Sequence, residues 1–166
     1  GNATVITAAW GNPAAATAPS YRSDGTVWSN GYHGAWHFTE LITDSFADST
    51  AMSHHGSSVG ATVSTAGMVG GAVSLDGFDD YVDFGESAGQ AGSEFTASLW
   101  VKWDSTAAPL TNYLFSSKSS SDGWSVNAFT NTNLRIEGSG YDSAEKAVTP
   151  SWEMGVWHHL AVVFDG

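Results

Sequence analysis

The stretch "SLDGFDDYVDFG" (74–85) sets four carboxylates among bulky apolar side chains, and two interpretations compete for it. It is either a calcium loop or a pair of short strands joined by an acidic turn. A helix-loop-helix calcium loop requires a glutamate at position 12. Counting from Asp76 places Ser87 at that position. Counting from Asp79 places Gln90 there, so neither frame fits and this kind of loop is disfavoured.

The turn interpretation follows from local chemistry. Asp76 and Gly77 favour a turn, because glycine tolerates a positive φ and aspartate accepts hydrogen bonds from the backbone that follows it. The apolar residues on either side of the turn are then expected to point into a common core. These residues are Leu75 before the turn, and Val82 and Phe84 after it.

The remaining acids of the stretch are expected at turn and solvent-facing positions: Asp79, Asp80 and Asp83. A calcium site of another geometry stays open at this turn, because carboxylate oxygens are the ligands that calcium prefers. Asp79 and Asp80 are its candidate ligands. The turn is the preferred interpretation until an ion is shown to bind.

Apolar and polar residues alternate with a period of two along much of the chain. The pattern is clearest in 94–103, which predicts a strand with Trp100 and Lys102 on one face and four apolar residues on the other: Phe95, Ala97, Leu99 and Val101. Further strands are predicted at 35–40, 70–77, 81–85, 112–118, 123–129, 133–138 and 157–166. The segment 41–69 is interpreted as a long loop with one strand near 59–63.

The spacing of these segments predicts an all-β fold. The strands follow one another at intervals of roughly ten residues, and turn-forming residues separate them. No segment longer than ten residues shows a sustained helical period. An antiparallel β-sandwich or barrel is the architecture that this pattern indicates.

Composition excludes several classes of partner. The chain has five basic residues against 17 acidic ones, and its formal net charge is -12. Without a basic stripe, neither nucleic acid nor anionic lipid is an expected partner. No apolar run reaches the roughly 18 residues of a membrane span, so membrane insertion is not expected. The absence of cysteine excludes disulfides and thiolate metal sites.

Four blocks of sequence together resemble the laminin-G-like domains of the concanavalin A-like lectin/glucanase superfamily. They are "GAWHFTE" (34–40), the long segment from "DSTAMSHHG" to "YVDFGES" (48–87), "EFTASLWVKW" (94–103) and "WHHLAVVFDG" (157–166). The resemblance implies a jelly-roll β-sandwich that covers 32–166. It also implies core positions for Trp36 and Trp157.

The resemblance suggests how the chain is divided. Residues 1–31 are similar to the tail of an upstream bacterial domain followed by an Ala/Ser-rich linker. Family members continue beyond "AVVFDG" with the strands that close the sandwich. We therefore expect 32–166 to lack its last strands. Further sequence, other domains, a second chain or a neighbouring copy would complete the sheet, because open sheet edges promote aggregation.

Enzymatic activity is not expected from these residues. The glucanase branch of the resembled superfamily carries alternating acids on one strand, which places them on one face for a two-carboxylate mechanism. Here Glu94 stands alone at a strand start, and Glu137 alternates with Arg135. No Gly-x-Ser-x-Gly elbow is present. The adjacent histidine pairs, His54-His55 and His158-His159, point to opposite faces in a strand, which disfavours zinc.

Two further kinds of site follow from the resemblance and the aromatic content. Several relatives bind calcium near the loop that begins at Asp48, so Asp48 joins Asp79 and Asp80 as a calcium candidate, although a solvated acidic loop is the preferred interpretation. The chain also has eight tryptophans. Sugar rings stack on exposed aromatic faces, so aromatic residues next to turns are candidate ligand platforms, although packing is the preferred interpretation for each of them. The candidates are Trp124, Tyr141 and Trp152.

The resemblance implies a non-catalytic binding module of a bacterial protein. The acidic, lysine-poor and Ser/Thr/Gly-rich composition is typical of a secreted or cell-surface protein. A glycan is the expected ligand, and calcium is the candidate cofactor. A protein surface is the alternative partner. A structural spacer in an adhesin, and a glycoside hydrolase whose acids lie outside this chain, are the alternative functions.

Overall fold

The computed structural model describes residues 25–40, 45–64, 66–89, 94–103, 111–117, 123–129, 133–138 and 153–165. These residues form ten β-strands and one short 3-10 helix, and all strand pairs are antiparallel. The described part of the chain contains no α-helix. The predicted all-β class is confirmed. Most of the predicted tail and linker (1–31) lies outside the described residues.

The strands are β1 Ser45–Phe46, β2 Gly56–Val59, β3 Thr62–Ser64, β4 Ala72–Ser74, β5 Tyr81–Asp83, β6 Glu94–Lys102, β7 Thr111–Ser116, β8 Trp124–Phe129, β9 Asn133–Gly138 and β10 Trp157–Asp165, with the 3-10 helix at Glu86–Gly89 between β5 and β6. In the described residues they pair as β1-β2-β5, β3-β4, β10-β6 and β7-β8-β9.

The longest ladder joins strands that are far apart in sequence. All nine residues of β6 pair with β10, from Glu94 opposite Asp165 to Lys102 opposite Trp157. Alternate residues of β6 are half-buried and exposed, as the period-two pattern predicted. The half-buried face of this pair carries apolar residues of both strands, and the other face is turned to solvent.

An aromatic core packs the β6-β10 pair against the β7-β8-β9 sheet. Phe95 of β6 stacks on Phe164 of β10, with ring centroids 4.3 Å apart. Trp124 of β8 contacts both rings, at 4.7 Å and 5.4 Å. Phe115 of β7 meets Trp124 edge-on at 5.3 Å. Two sheets that bury aromatic side chains between them form a β-sandwich, which confirms the predicted architecture.

A second packed region lies under the N-terminal loops. Trp36 packs on Phe84 with centroids 4.1 Å apart, and its indole N–H donates to the carbonyl of His54 at 2.8 Å. Phe46 is fully buried and contacts Phe38 edge-on. Trp36 therefore occupies the packed position that the resemblance implied.

Three local predictions are wrong. Residues 35–40 form no strand, only an isolated bridge between Trp36 and Asp48, because Phe38 has a φ of 51° that a β-strand does not tolerate. The single strand expected near 59–63 is two strands, β2 and β3, separated by Gly60 at a φ of 73°. Leu75 was expected in the core but is 48% exposed, because β4 ends one residue before it.

Candidate functional site

The acidic stretch is a turn between β4 and β5. Gly77 has a φ of 81°, in the region that glycine adopts without strain. The carboxylate of Asp76 accepts backbone N–H bonds from Phe78 at 2.8 Å and from Asp79 at 3.4 Å. The carboxylate of Asp80 accepts the backbone N–H of Asp76 at 2.9 Å. These hydrogen bonds confirm the predicted turn and hold it closed.

The same turn brings three carboxylates together. One oxygen each from Asp76, Asp79 and Asp80 lies within 4.8 Å of the others. Asp79 and Asp80 were the calcium candidates predicted from the sequence, whereas Asp76 was predicted only to form the turn. Calcium takes six to eight oxygen ligands, so this group supplies a part of such a shell. The group can attract a cation, and the turn has its own hydrogen bonds without one.

Asp48 organises the loop that follows β1 and lies in a different place. Asp48 is 7% exposed, and its carboxylate accepts four hydrogen bonds. One oxygen accepts the backbone N–H groups of Ala35 and Thr50, both at 2.9 Å. The other accepts the Thr50 hydroxyl at 2.7 Å and the His54 N–H at 3.0 Å. Two bonds to each oxygen fill the acceptor positions of a carboxylate, so Asp48 acts as a loop-organising residue in this structure.

The charge on Asp48 is stabilised by these donors. Burial alone would raise the pKa of the carboxyl, because it disfavours the charged form. The hydrogen bonds from Ala35, Thr50 and His54 outweigh burial and hold the pKa of Asp48 below its ordinary value of 3.8. The carboxylate is therefore ionised wherever the loop is folded near neutral pH. Its role as a metal ligand stays a prediction.

Of the three aromatic residues predicted as ligand platforms, one lies within the described part of the chain. Trp124 is half-buried and contacts three phenylalanine rings, so it packs in the core and is not an exposed platform. This packing agrees with the preferred interpretation from sequence, and it arises because β8 alternates with Trp124 on the core side. Tyr141 and Trp152 lie outside the described residues.

The exposed aromatic surface is instead the solvent face of β6 and β10, here called the outer face. Trp100 lies directly opposite His159, with ring centroids 5.2 Å apart, and it is 41% exposed. The next pair along is Lys102 and Trp157, with the lysine Nζ 5.7 Å from the centre of the indole ring. The resemblance implied a core position for Trp157, but the register places it on this face, half-buried.

The sequence predicts the β6 residues of this site but not their partners on β10. Alternation along β6 placed Trp100 and Lys102 together on the side away from the core. The partners from β10 depend on which residue of β10 pairs with which residue of β6, and no local pattern contains that register. His159 was therefore considered only as one half of an adjacent histidine pair.

The far end of the outer face is acidic. Glu94 lies directly opposite Asp165, and both side chains are exposed. They line an open groove of about 410 Å³, together with residues of both faces: Phe95, Thr96, Val163 and Phe164. Glu94 has no second acid along its own strand, as the sequence shows, but β10 supplies one across the ladder.

Comparison with known proteins identifies the family. The family model described as concanavalin A-like lectin/glucanases superfamily, of laminin G type, matches residues 76–166, more than half of the chain. The chain belongs to the concanavalin A-like lectin/glucanase superfamily. The curated proteins and the solved structures gave no match to this sequence.

Membership in the concanavalin A-like superfamily indicates a general class of function and not a specific ligand. The family supports a carbohydrate- or protein-binding module, and the superfamily includes both lectins and glycosidases. The matched segment begins at the acidic turn and contains β5 to β10, and therefore the whole outer face. Among the described residues, no helix has the length and apolar character needed to cross a membrane.

Proposed function

We propose that this member of the concanavalin A-like superfamily is a non-catalytic glycan-binding module of a secreted or cell-surface bacterial protein. The observation that carries the proposal is the outer face, where Trp100 and His159 lie side by side and Lys102 sits over Trp157. This face presents an exposed aromatic ring together with polar groups, on the side of the sheet away from the core.

Trp100 supplies the apolar part of a sugar contact. Pyranose rings bind aromatic residues through their C–H groups, and an indole offers a large flat area for this. The indole of Trp100 is turned to solvent, and the His159 ring beside it is tilted by 52°. The tilt makes a shallow corner that receives one edge of a sugar ring while the indole covers its face.

Polar groups next to the ring supply orientation. Sugar hydroxyls require fixed donors and acceptors, because apolar contact alone does not choose among stereoisomers. The imidazole of His159 offers a donor and an acceptor, and the Lys102 ammonium offers donors. Lys102 is held near the Trp157 ring, which limits the conformations that its long side chain samples.

The strands hold these four side chains in register. The β6-β10 ladder continues past them for six further pairs, from Leu99 opposite Leu160 to Glu94 opposite Asp165. A site on paired strands is more rigid than one on a loop, so less conformational entropy is lost when a ligand binds. This rigidity favours the outer face over the loops as the recognition surface.

Glycoside hydrolysis is the second candidate, and the pair Glu94 and Asp165 is the observation that favours it. Directly opposed residues of an antiparallel pair have Cβ atoms about 4.5–5.5 Å apart, which allows two carboxyl groups to flank one bond. Both side chains are exposed, however, whereas the acid of such a pair is kept protonated by an apolar setting. Binding without hydrolysis is therefore the function that we propose.

A protein-binding or spacer role is the remaining alternative. Phe78 at the tip of the acidic turn is 80% exposed and lies among three carboxylates. An exposed aromatic ring at a turn suits a protein contact more than a sugar platform, because it lacks neighbouring hydrogen-bonding rings. A ligand that binds at Phe78 and not at Trp100 would support this alternative.

The proposed calcium site lies at the acidic turn and not at Asp48. Asp76, Asp79 and Asp80 offer the converging carboxylates. Asp48 is left out, because its four acceptor positions are filled by hydrogen bonds. Since the outer face is built from other strands, we propose that glycan recognition there does not depend on calcium.

A glycan array probed with the full chain, first in calcium and then in EDTA, tests the proposal. Binding that is equal in both buffers is the expected result. Binding that EDTA abolishes would move the recognition site to the acidic turn. Absence of binding in both buffers would overturn the glycan proposal and leave the protein-binding and spacer alternatives. Release of free sugar from a bound glycan would replace binding with hydrolysis.

A further inference from the structure

The β7-β8-β9 sheet has a polar face on the side away from the aromatic core. Ser125 and Asn127 of β8 lie on this face, because they alternate with Trp124 and Val126, and Trp124 contacts the core. The paired residues on the neighbouring strands share the face: Glu137 and Arg135 on β9, and Tyr113 on β7. Ser125 and Asn127 are nevertheless buried, at 0% and 1% exposure.

Most of the polar groups on this face are paired. The Ser125 hydroxyl donates to Glu137 Oε2 at 3.3 Å. The Arg135 guanidinium donates to Glu137 Oε1 at 3.4 Å. Asn127 differs, because both its Nδ2 and its Oδ1 are buried and neither has a hydrogen-bond partner within the described part of the chain. The amide lies between Tyr113 on one neighbouring strand and Arg135 on the other.

An unpaired buried amide costs stability, because its donors and acceptor lose water without gaining a partner. An apolar residue of the same size would remove that cost. A buried unpaired group calls for an explanation, such as an ordered water or a ligand that satisfies it, and functional sites are where local rules of stability are broken. Asn127 is thus unlike the paired Ser125 beside it, and its position calls for a partner that offers both a donor and an acceptor.

We propose that Asn127, with Tyr113 and Arg135 at its sides, forms a second binding site for a ligand with adjacent hydroxyl groups, as in a sugar. The amide NH₂ donates to one hydroxyl oxygen, and the amide oxygen accepts from the neighbouring hydroxyl. The ligand class rests on the proposed function. The location does not, because this face and the outer face lie on opposite sides of the sandwich.

A ligand reaches the amide only when its neighbours across the sheet, Tyr113 and Arg135, move aside. Tyr113 is 54% exposed, so it moves without disturbing the core. Arg135 is on a long side chain that remains partly exposed beside Glu137. Side chains of this kind change rotamer in picoseconds to nanoseconds. When they swing outward, the Tyr113 ring borders the opened space and offers an aromatic edge to the ligand.

Two variants separate a binding role from a structural one. Asn127→Leu replaces the unpaired amide by an apolar group with the same branching, and we expect its Tm to rise by about 2–8 °C. Asn112→Leu is the matched control, because Asn112 pairs with Ala128 and therefore lies on the opposite face of the same sheet. No comparable rise is expected for the control. An unchanged or lower Tm for Asn127→Leu would show that the amide is already satisfied and would overturn the inference.

Binding at the site is read directly from the wild-type amide, so the test does not depend on folding of a variant. The ¹⁵N-labelled chain is titrated with the methyl glycosides of glucose, galactose and N-acetylglucosamine, and the side-chain NH₂ signals of Asn127 and Asn112 are followed. We expect a saturable shift at Asn127 with at least one sugar, and none at Asn112. Asn127 signals that stay fixed with all three sugars would overturn the inference.

A Trp100→Ala background separates this site from the outer face. We expect the Asn127 shift to persist in that background, with a Kd unchanged within about twofold. Loss of the shift there would show a single site at Trp100 and would overturn the second site while leaving the proposed function intact. If the glycan array shows no binding but the Asn127 shift is preserved, the proposed function at the outer face is overturned and the second site at Asn127 stands.

Discussion

Trp100 and His159 lie directly opposite each other on β6 and β10, with their rings 5.2 Å apart on the solvent side of the sandwich. The two residues are separated by 58 intervening positions in sequence, and only the antiparallel register brings them together. On the other side of the same strands, Phe95 and Phe164 stack at 4.3 Å inside the core. One ladder therefore builds both the packed interior and the surface that we propose as the binding site.

Replacing Trp124 by alanine should destabilise the protein without a specific effect on glycan binding. Trp124 contacts Phe95, Phe115 and Phe164, so its removal leaves a cavity between the two sheets. We expect the free energy of unfolding to fall by about 2–4 kcal/mol, below the loss for a fully buried tryptophan, because the side chain is half-buried. Urea denaturation measures this change.

If Trp124 were a ligand platform, the effects of Trp124→Ala on stability and on glycan affinity would be reversed. The platform role requires a loss of glycan affinity with stability nearly unchanged, measured below the unfolding transition. Trp124→Phe is the control, because it keeps most of the aromatic contact. That variant should recover more than half of the stability lost in Trp124→Ala.

Loss of the Asp48 carboxylate should loosen the loop between β1 and β2. The carboxylate accepts bonds from Ala35, Thr50 and His54, and Asp48→Ala leaves these donors without their acceptor. We expect a loss of roughly 3 kcal/mol in the free energy of unfolding. Asp79→Ala, which removes an exposed acid from the turn, is the control and should change stability by less than about 1 kcal/mol.

Asp48 also predicts how stability responds to acid. Its folded pKa lies below the ordinary value of 3.8, so its contribution is fully present above that value and is lost as pH falls through the lower folded pKa. Urea unfolding at pH 7 and at pH values below 3.8 measures the effect. Asp48→Asn should show a shallower loss in this acid range. Equal slopes for the two proteins would contradict the assignment.

The acidic turn should depend on Asp76 even without calcium. Asp76 accepts the N–H groups of Phe78 and Asp79, and these bonds form within the protein alone. Asp76→Ala is expected to lower the free energy of unfolding by about 1–2 kcal/mol in EDTA. If calcium binds the three carboxylates, the wild-type Tm rises with calcium concentration by mass action, and the rise is absent in Asp76→Ala.

A calcium-dependent turn would behave differently. Wild type in EDTA would then match Asp76→Ala, because the turn would already be open without the ion. Magnesium at the same concentration is the control for nonspecific screening, since it demands a smaller, octahedral shell.

Neutralising the acids at the end of the outer face should not affect binding. Glu94→Gln and Asp165→Asn remove the carboxylates that could serve hydrolysis, and both positions lie at the far end of the face from Trp100. We expect glycan affinity within about threefold of wild type, because surface substitutions away from a contact have small effects. Reducing-sugar release measures hydrolysis, and release that either variant abolishes would establish the enzymatic alternative.

Local sequence patterns were sufficient to predict the strands that form the core. Period-two alternation located β6 and β10 and assigned the faces of β6 correctly. The Asp76-Gly77 pair located the turn, because its chemistry lies within a few residues. Four blocks of sequence, taken together in their order along the chain, predicted the family, and the family model confirms it over 76–166.

Features that depend on distant contacts were not predictable. The strand expected at 35–40 is replaced by tertiary contacts, in which the Asp48 carboxylate takes the Ala35 N–H and the His54 carbonyl takes the Trp36 indole N–H. The outer face required the β6-β10 register. Trp124 was placed next to a turn in sequence, but β8 directs it toward Phe95.

The most direct test of the proposed function is calorimetric titration of the strongest array glycan into wild type, Trp100→Ala and Phe78→Ala. Our account predicts that Trp100→Ala weakens binding at least about tenfold with little change in stability, because the exposed indole supplies the sugar-stacking surface. Phe78→Ala, which removes an exposed ring from another element, should bind like wild type. Unchanged affinity in Trp100→Ala would contradict the account, and a loss confined to Phe78→Ala would move the binding site to the acidic turn.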